Sequence, residues 1–297
     1  MIGPIRSMLF VPGTRQDRFV KAMNAGADAV VFDLEDSVDA GQKATARTRI
    51  AEFLATRRMD EIRTDATRPE ALRLVRFNAV HTPDGEADLE FFSGTQGLDG
   101  VLLPKVETAG AVELVAQAFT RRAHLGAVPP LLLLLETPRA ILRAAAIAAA
   151  DAPVAALLLG AEDLTASLAV ERTIDGEELS FARGQIALAA AAAGVEAIDA
   201  VCTDLHDTES LRRDCQRARA LGFRGKMAIH PRQVPVINEV FTPSAADVDR
   251  AGRLIDAYET ARSTGQGVTT MDGRMVEGPI VERARRMLAL AARHRDR

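Results

Sequence analysis

Eight short apolar segments, separated by helical stretches over about 230 residues, predict an α/β chain folded as a (β/α)8 TIM barrel with a C-terminal helical lid or arm. The apolar segments are mostly unbroken runs, as in parallel strands covered on both faces. No G-x-G-x-x-G follows the first run, which sets aside the rival doubly wound sheet.

The first segment, Ser7 to Val11, closes on Pro12-Gly13, and a helix from Gln16 to Ala25 ends at Gly26. Ala29 to Asp36 is a second buried strand whose C-terminal end carries Asp33, Glu35 and Asp36, and Ala40 to about Leu54 has helical spacing. Arg57 to Pro69 reads as a charged, irregular connection. The third strand, Ala71 to Asn78, ends in Arg76 and Asn78; His81 to Glu90 reads as a polar loop; Leu98 to Pro104 leads into Lys105. The fifth run, Leu131 to Leu135, stops at Glu136-Thr137-Pro138, and Pro138 suits the first turn of a helix to Ala150. Val154 to Gly160 is the sixth, closing on Ala161-Glu162-Asp163, before a polar excursion from Glu171 to Glu178 and an alanine-rich helix from Phe181 to Ala193. Glu196 to Val201, a capped helix from Thr208 to Leu221, and Gly225 to Pro231 complete the barrel.

Residues 1–237 thus form the expected barrel domain, and 238–297 a helical lid and oligomerisation segment. The latter holds amphipathic helices near Ala245 to Ser263 and Pro279 to His294, joined by a glycine-rich loop, Thr264 to Gly278, read as flexible.

Composition narrows the function classes. With 37 basic and 41 acidic residues the net charge is −4, which gives no nucleic-acid footprint, and tryptophan is absent, which argues against a base-stacking surface. No stretch of eighteen uncharged apolar residues occurs, arguing against secretion and membrane spanning. Two cysteines without metal-ligand spacing suit a reducing cytoplasm.

A barrel of this kind carries its site at the C-terminal strand ends. Those ends supply Asp33, Glu35, Asp36, Arg76, Asn78, Lys105, Glu136, Glu162, Asp163 and His230. Helix capping and solvated loop charge are the bland reading of such acids, but charges gathered on one rim favour a site. Glu136 and Asp163 end adjacent strands, close enough for one divalent ion; Mg²⁺ takes one or two carboxylates plus waters and substrate oxygens. No His/Cys cluster suits zinc and no G-x-S-x-G occurs.

The chain resembles the citrate lyase β-subunit-like branch of the HpcH/HpaI aldolases, which includes malyl-CoA and citramalyl-CoA lyases. The carriers are Arg6-Ser7-x-Leu9-Phe10-Val11-Pro12-Gly13, Phe32-Asp33-Leu34-Glu35-Asp36, Arg76-x-Asn78, Leu103-Pro104-Lys105, Glu136-Thr137-Pro138, Gly160-x-Glu162-Asp163-Leu164 and Ile229-His230-Pro231, in that order. The resemblance implies a Mg²⁺-dependent C–C lyase acting on a coenzyme A thioester substrate. It implies Glu136 and Asp163 as metal ligands and Arg76 on the substrate. It also implies a homotrimer or hexamer.

The chemistry fits those groups. Cleaving a 3-hydroxyacyl thioester needs a base for the hydroxyl, a cation for the 2-oxoacid fragment and positive charge where an enolate develops. Arg76 serves the enolate, and Glu35 and Asp36 orient Arg76 and Lys105. Lys105 and Glu136 are further expected at the substrate, with the N–H groups around Gly160, Ala161 and Glu162 receiving its carboxylate. Arg15, Arg18 and Lys21, near the mouth of the first strand, are the candidates for the CoA tail.

The C-terminal loop departs from the pattern. CoA-lyase relatives carry an aspartate that serves as acid/base in a neighbouring subunit; here Gly273-Arg274-Met275-Val276-Glu277-Gly278-Pro279 places Glu277 there. Three readings stay open: a CoA-ester lyase, a citryl-thioester lyase subunit working on a carrier protein, and a non-catalytic barrel that binds a 2-oxoacid or CoA.

Overall fold

The computed structural model describes residues 3–56, 70–121 and 128–295. The connection expected from Arg57 to Pro69 lies outside the described residues. The chain divides into two compact units, Met1–Phe241 and Thr242–Arg297.

The first unit is a closed barrel of eight strands: β1 (Ser7–Pro12), β2 (Ala29–Asp33), β3 (Leu72–Arg76), β4 (Gly100–Leu103), β5 (Leu131–Leu135), β6 (Val154–Leu159), β7 (Glu196–Asp199) and β8 (Gly225–Ala228). Each pairs in parallel with the next, and β8 closes on β1. The helices of this unit are α1 (Phe19–Met23), α2 (Lys43–Ala55), α3 (Pro83–Phe92), α4 (Ala109–Arg121), α5 (Pro138–Leu142), α6 (Ala144–Ala148), α7 (Ala161–Leu168), α8 (Ser180–Ala193), α9 (Thr208–Leu221) and α10 (Val234–Phe241).

Strand parity decides what faces the barrel axis, because successive side chains point to opposite faces. Met8, Val31, Leu74, Leu102, Leu132, Leu134, Leu158, Ile198 and Met227 pack together in the interior. Their neighbours Leu9, Val30, Phe32, Val75, Leu131, Leu133, Leu135, Leu157 and Leu159 pack in the larger cluster shared with the helices. The leucine run of β5 therefore serves both layers, and both faces are buried.

Several boundaries differ from the sequence reading. His81 to Glu90 is no polar loop: α3 starts at Pro83, and Thr82 caps it by accepting the Gly85 amide at 3.1 Å. The helix expected from Pro138 to Ala150 is two short helices that break at Arg143. β8 stops at Ala228, and His230 Nδ1 caps the following turn by accepting the Arg232 amide at 3.1 Å. Asn238 lies within α10 and bonds the barrel itself, accepting from the Ser7 hydroxyl at 2.6 Å and donating to the Gly26 carbonyl at 2.9 Å.

Outward parity at β7 and β8 places a charged quartet under the helices. Lys226 Nζ lies 2.6 Å from both Asp199 and Asp214, and Arg183 donates to Asp199 at 2.9 Å and to Asp214 at 2.7 Å. Two cations and two anions cancel, and the group ties β7, β8, α8 and α9. Asp199→Ala would leave two buried cations on one carboxylate. It should cost roughly 3–5 kcal/mol, the usual penalty for breaking a buried ion pair, in urea unfolding.

The second unit contains α11 (Ala245–Ser263), a hairpin of β9 (Thr269–Met271) and β10 (Arg274–Val276), and α12 (Gly278–Arg295). Ala251, Leu254, Val276, Val281 and Ala284 form its core. The loop read as flexible is thus largely an ordered hairpin. Asp272 and Gly273, with φ 51° and 71°, make its two-residue turn.

Candidate active site

Inward parity extends past the last apolar residue of each strand. Leu134 faces the axis, so Glu136 does too; Val31 is followed by Asp33, Leu74 by Arg76, and Leu158 by Gly160. Asp33, Arg76, Leu134, Glu136 and Gly160 line one cavity of about 450 Å³ at the C-terminal ends of the strands, together with Phe10, Asp36, Ala161, Glu162, Asp163 and Met227.

Arg76 is the most heavily paired group. Its Nε and Nη2 donate to the two oxygens of Asp33 at 2.6 and 2.7 Å, and Nη1 lies 2.9 Å from Glu35 and 3.3 Å from Asp36. The guanidinium also stands over the Phe10 ring, 5.2 Å from its centroid. Burial would lower the Arg76 pKa, but Asp33, then Glu35 and Asp36, more than offset it and raise it. Burial likewise pushes Asp33 upward, yet the Arg76 fork, the Ser37 hydroxyl and the Glu35 amide hold it below the usual carboxylate range.

Glu136 is the opposite case. Burial, followed by the negative charge of Glu35, drives its carboxyl up to about 8; the Lys105 amide opposes this, and Asp163 adds to it. Its Oε1 accepts the Lys105 amide at 2.7 Å. Lys105 presents that amide from a left-handed backbone, φ 52°, a conformation that costs a non-glycine residue free energy and is retained where the surroundings demand it. The Lys105 ammonium reaches the other acids, 3.0 Å from Glu35, 3.9 Å from Asp36 and 3.8 Å from Asp163. Lys105 therefore approaches Glu136 through its main chain and Asp163 through its side chain.

Gly160 makes room for Glu136. A Cβ at position 160 would stand 2.3 Å from the Glu136 Cβ and 2.7 Å from its Oε2. The backbone at Gly160 is extended, so space alone requires glycine there. Gly160→Ala should therefore push Glu136 out of place and lower kcat at least 100-fold, an order of magnitude set by the sensitivity of reactions to small misplacements. The check is a steady-state assay alongside thermal unfolding; activity close to wild type would overturn this.

The other expected residues are divided. Glu162 lines the cavity and pairs with Arg172 at 2.5 Å, and Ala161 opens α7. Asn78 is buried behind the site: its amide groups donate to Asp88, and it accepts from Lys43, which also donates to the Leu34 and Glu35 carbonyls at 3.0 and 3.2 Å. Lys43, Asp88 and Ser37 thus brace the acidic turn, although nothing local in the sequence distinguishes them. Arg15 pairs with Asp17 on an exposed turn. Glu277 belongs to the C-terminal unit.

A parallel eight-stranded barrel with a charged mouth of carboxylates around a buried arginine defines an enzyme of the TIM-barrel class. The chain belongs to the HpcH/HpaI aldolase/citrate lyase family, whose model matches residues 6–231. It is 41% identical to a citrate lyase subunit beta-like protein of Deinococcus radiodurans over 287 residues, 96% of each chain. It is 37% identical to a (3S)-malyl-CoA thioesterase of Cereibacter sphaeroides over 290 residues, 97% of this chain and 95% of the relative. Among solved structures it resembles CitE of Mycobacterium tuberculosis in complex with magnesium, acetoacetate and coenzyme A. That match has a TM-score of 0.77 at 35% identity and covers 98% of both chains. The protein is accordingly a lyase of the citrate lyase β-like kind.

Proposed function

We propose that this enzyme cleaves or forms the C2–C3 bond of a 3-hydroxyacyl-CoA such as malyl-CoA or citramalyl-CoA, with Mg²⁺ held by Glu136 and Asp163. The observation that carries the reading is a pair of carboxylates, Glu136 just past β5 and Asp163 in the first turn of α7, lining one cavity with the Arg76 guanidinium. The donor set suits the ion. Glu136 Oε2 has no donor among the described residues, and the excess negative charge around Glu136 is what a divalent cation relieves. Among the described residues no group of three His, Cys, Asp or Glu is arranged for a metal, which fits an ion taking two carboxylates with waters and substrate oxygens. Bound there, Mg²⁺ supplies Lewis-acid polarisation and a template for the hydroxyacid end of the substrate.

The chain's own groups do the rest. Arg76, locked by Asp33 and Glu35, faces the thioester oxygen as enolate charge develops and needs no reorganisation to meet it. The open N–H groups at the start of α7, from Ala161 and Glu162, receive the substrate carboxylate. Glu35 and Asp36 hold Arg76 and Lys105 in register, and Lys105 supplies positive charge beside the cleaved fragment. Glu277 takes the place of the family aspartate as acid/base in a neighbouring subunit's site. With the true substrate, Glu277→Gln should lower kcat about 100-fold or more, the usual weight of a general acid–base group. An unchanged kcat would remove Glu277 from the mechanism.

The similarity to a malyl-CoA thioesterase makes hydrolysis the second reading. One experiment separates these possibilities: incubation with malyl-, citramalyl- and citryl-CoA, with and without Mg²⁺, monitoring 2-oxoacid and free thiol together. Release of 2-oxoacid with the thioester intact supports the lyase, and free thiol without 2-oxoacid identifies a hydrolase. Neither product from any substrate would overturn both. The CoA ester and 2-oxoacid are thus the expected small-molecule partners, and a homotrimer or hexamer is the expected assembly. No helix among the described residues is long and apolar enough to cross a membrane.

A further inference from the structure

We propose that the C-terminal unit carries a binding site for a phosphate-type polyanion, formed by residues other than those of the barrel cavity; only its CoA arm rests on the CoA-ester reading above. α11, β10 and α12 contribute Arg250, Arg274 and Arg283 to a single cavity of about 320 Å³. Leu254, Met271, Met275 and Ile280 also line it, and Asp272 is its one acidic residue.

The three arginines are exposed and turn unneutralised charge towards this one volume. No side-chain hydrogen bond or ion pair joins any of the three to a described residue. The same unit does pair arginines elsewhere: Arg253 with Asp249, Arg285 with Glu259 and Arg286 with Glu282. Three like charges from three separate elements around one volume repel one another, and a bound anion removes that cost. Guanidinium forks match phosphate oxygens in pairs, which a compact ammonium does not. The lining of methionine, leucine and isoleucine suits an uncharged body attached to the phosphates. The structure therefore points to a phosphorylated small molecule, either a free polyphosphate or the phosphate-bearing end of a CoA-type molecule.

The test uses the full chain and isothermal titration with pyrophosphate and, separately, coenzyme A. Saturable pyrophosphate binding at one site per chain is expected, weakened about tenfold or more for each of Arg250→Gln, Arg274→Gln and Arg283→Gln. Arg253→Gln, outside the cavity, should leave it unchanged. Arg274→Lys keeps the charge and loses the fork, so it should fall between wild type and Arg274→Gln, which separates recognition from any change in folding. If coenzyme A binding weakens with the same substitutions, the site takes the CoA end; if only pyrophosphate binding does, it takes free polyphosphate. Absence of saturable pyrophosphate binding, or binding untouched by all three glutamine substitutions, overturns the proposal.

Discussion

Glu136→Ala should abolish Mg²⁺-dependent release of 2-oxoacid while leaving the barrel folded. The side chain lies beyond the last strand residue, and its loss widens the cavity at the barrel mouth rather than opening a void in the leucine core. Normal Mg²⁺ activation in that variant would sink the metal assignment. Glu136→Gln gives a second, activity-free readout. The folded carboxyl sits at about 8 against an ordinary 4.5, so in the metal-free protein the folded state holds this proton more tightly than the unfolded state. Its contribution to stability is then fully present below about pH 4.5 and is lost as pH rises through about 8. Metal-free wild type should melt at progressively lower temperature across that window, and Glu136→Gln should flatten this part of the profile. Mg²⁺ competes with the same proton. Its affinity should therefore climb by up to about tenfold per pH unit towards pH 8 and then level off. A pH-independent affinity between pH 6 and 8 would contradict the coupling.

Arg76→Gln should lower kcat by roughly 100- to 1000-fold, the range seen when one donor to a developing oxyanion is removed. The loss should fall on kcat more than on KM, since the enolate exists only in the transition state and beyond. Stability should fall as well. Asp33 is almost fully buried and takes two of its hydrogen bonds from Arg76. Without that partner it is a stranded charge, costing on the order of 3 kcal/mol. Asp33 is held below its ordinary pKa in the wild type, so its contribution is present above the unfolded value and disappears as pH falls through the folded one. The variant should accordingly lose less stability on acidification than wild type does. Arg76→Lys keeps the charge but cannot form the fork to Asp33, and it should recover only part of either loss. Near-normal kcat in Arg76→Gln would remove the guanidinium from the enolate's charge balance.

Much of this site is legible along the chain because a parallel barrel turns sequence order into spatial order. Each unbroken apolar run ends at the same rim, so the polar residues just beyond the runs must converge. Glu136, Arg76 and Asp33 follow from that rule and from period-two alternation once the inward face is known. Asp199 and Lys226 show the same rule with opposite parity, turned outward into a quartet beneath the helices. Thr82-Pro83, a cap followed by a first-turn proline, contained the signal for α3, and Asp272-Gly273 the signal for the hairpin, although polar and glycine-rich stretches read at first as loops.

The order of the strands, the rim that bears the charges and the acid that ends the leucine run were all determined by local pattern, because hydrophobic periodicity and turn residues act over a few positions. Long-range contacts decided the rest. That Glu136 sits at about 8 depends first on its burial and then on Glu35 and Asp163 arriving from other segments, and its position depends on Gly160 leaving space for it. The left-handed turn at Lys105, the bracing of the acidic loop by Lys43 and Asp88, and the three arginines around one cavity involve residues far apart in sequence. Charge state and side-chain position depend on distances between such residues, and no local pattern in the chain encodes those distances.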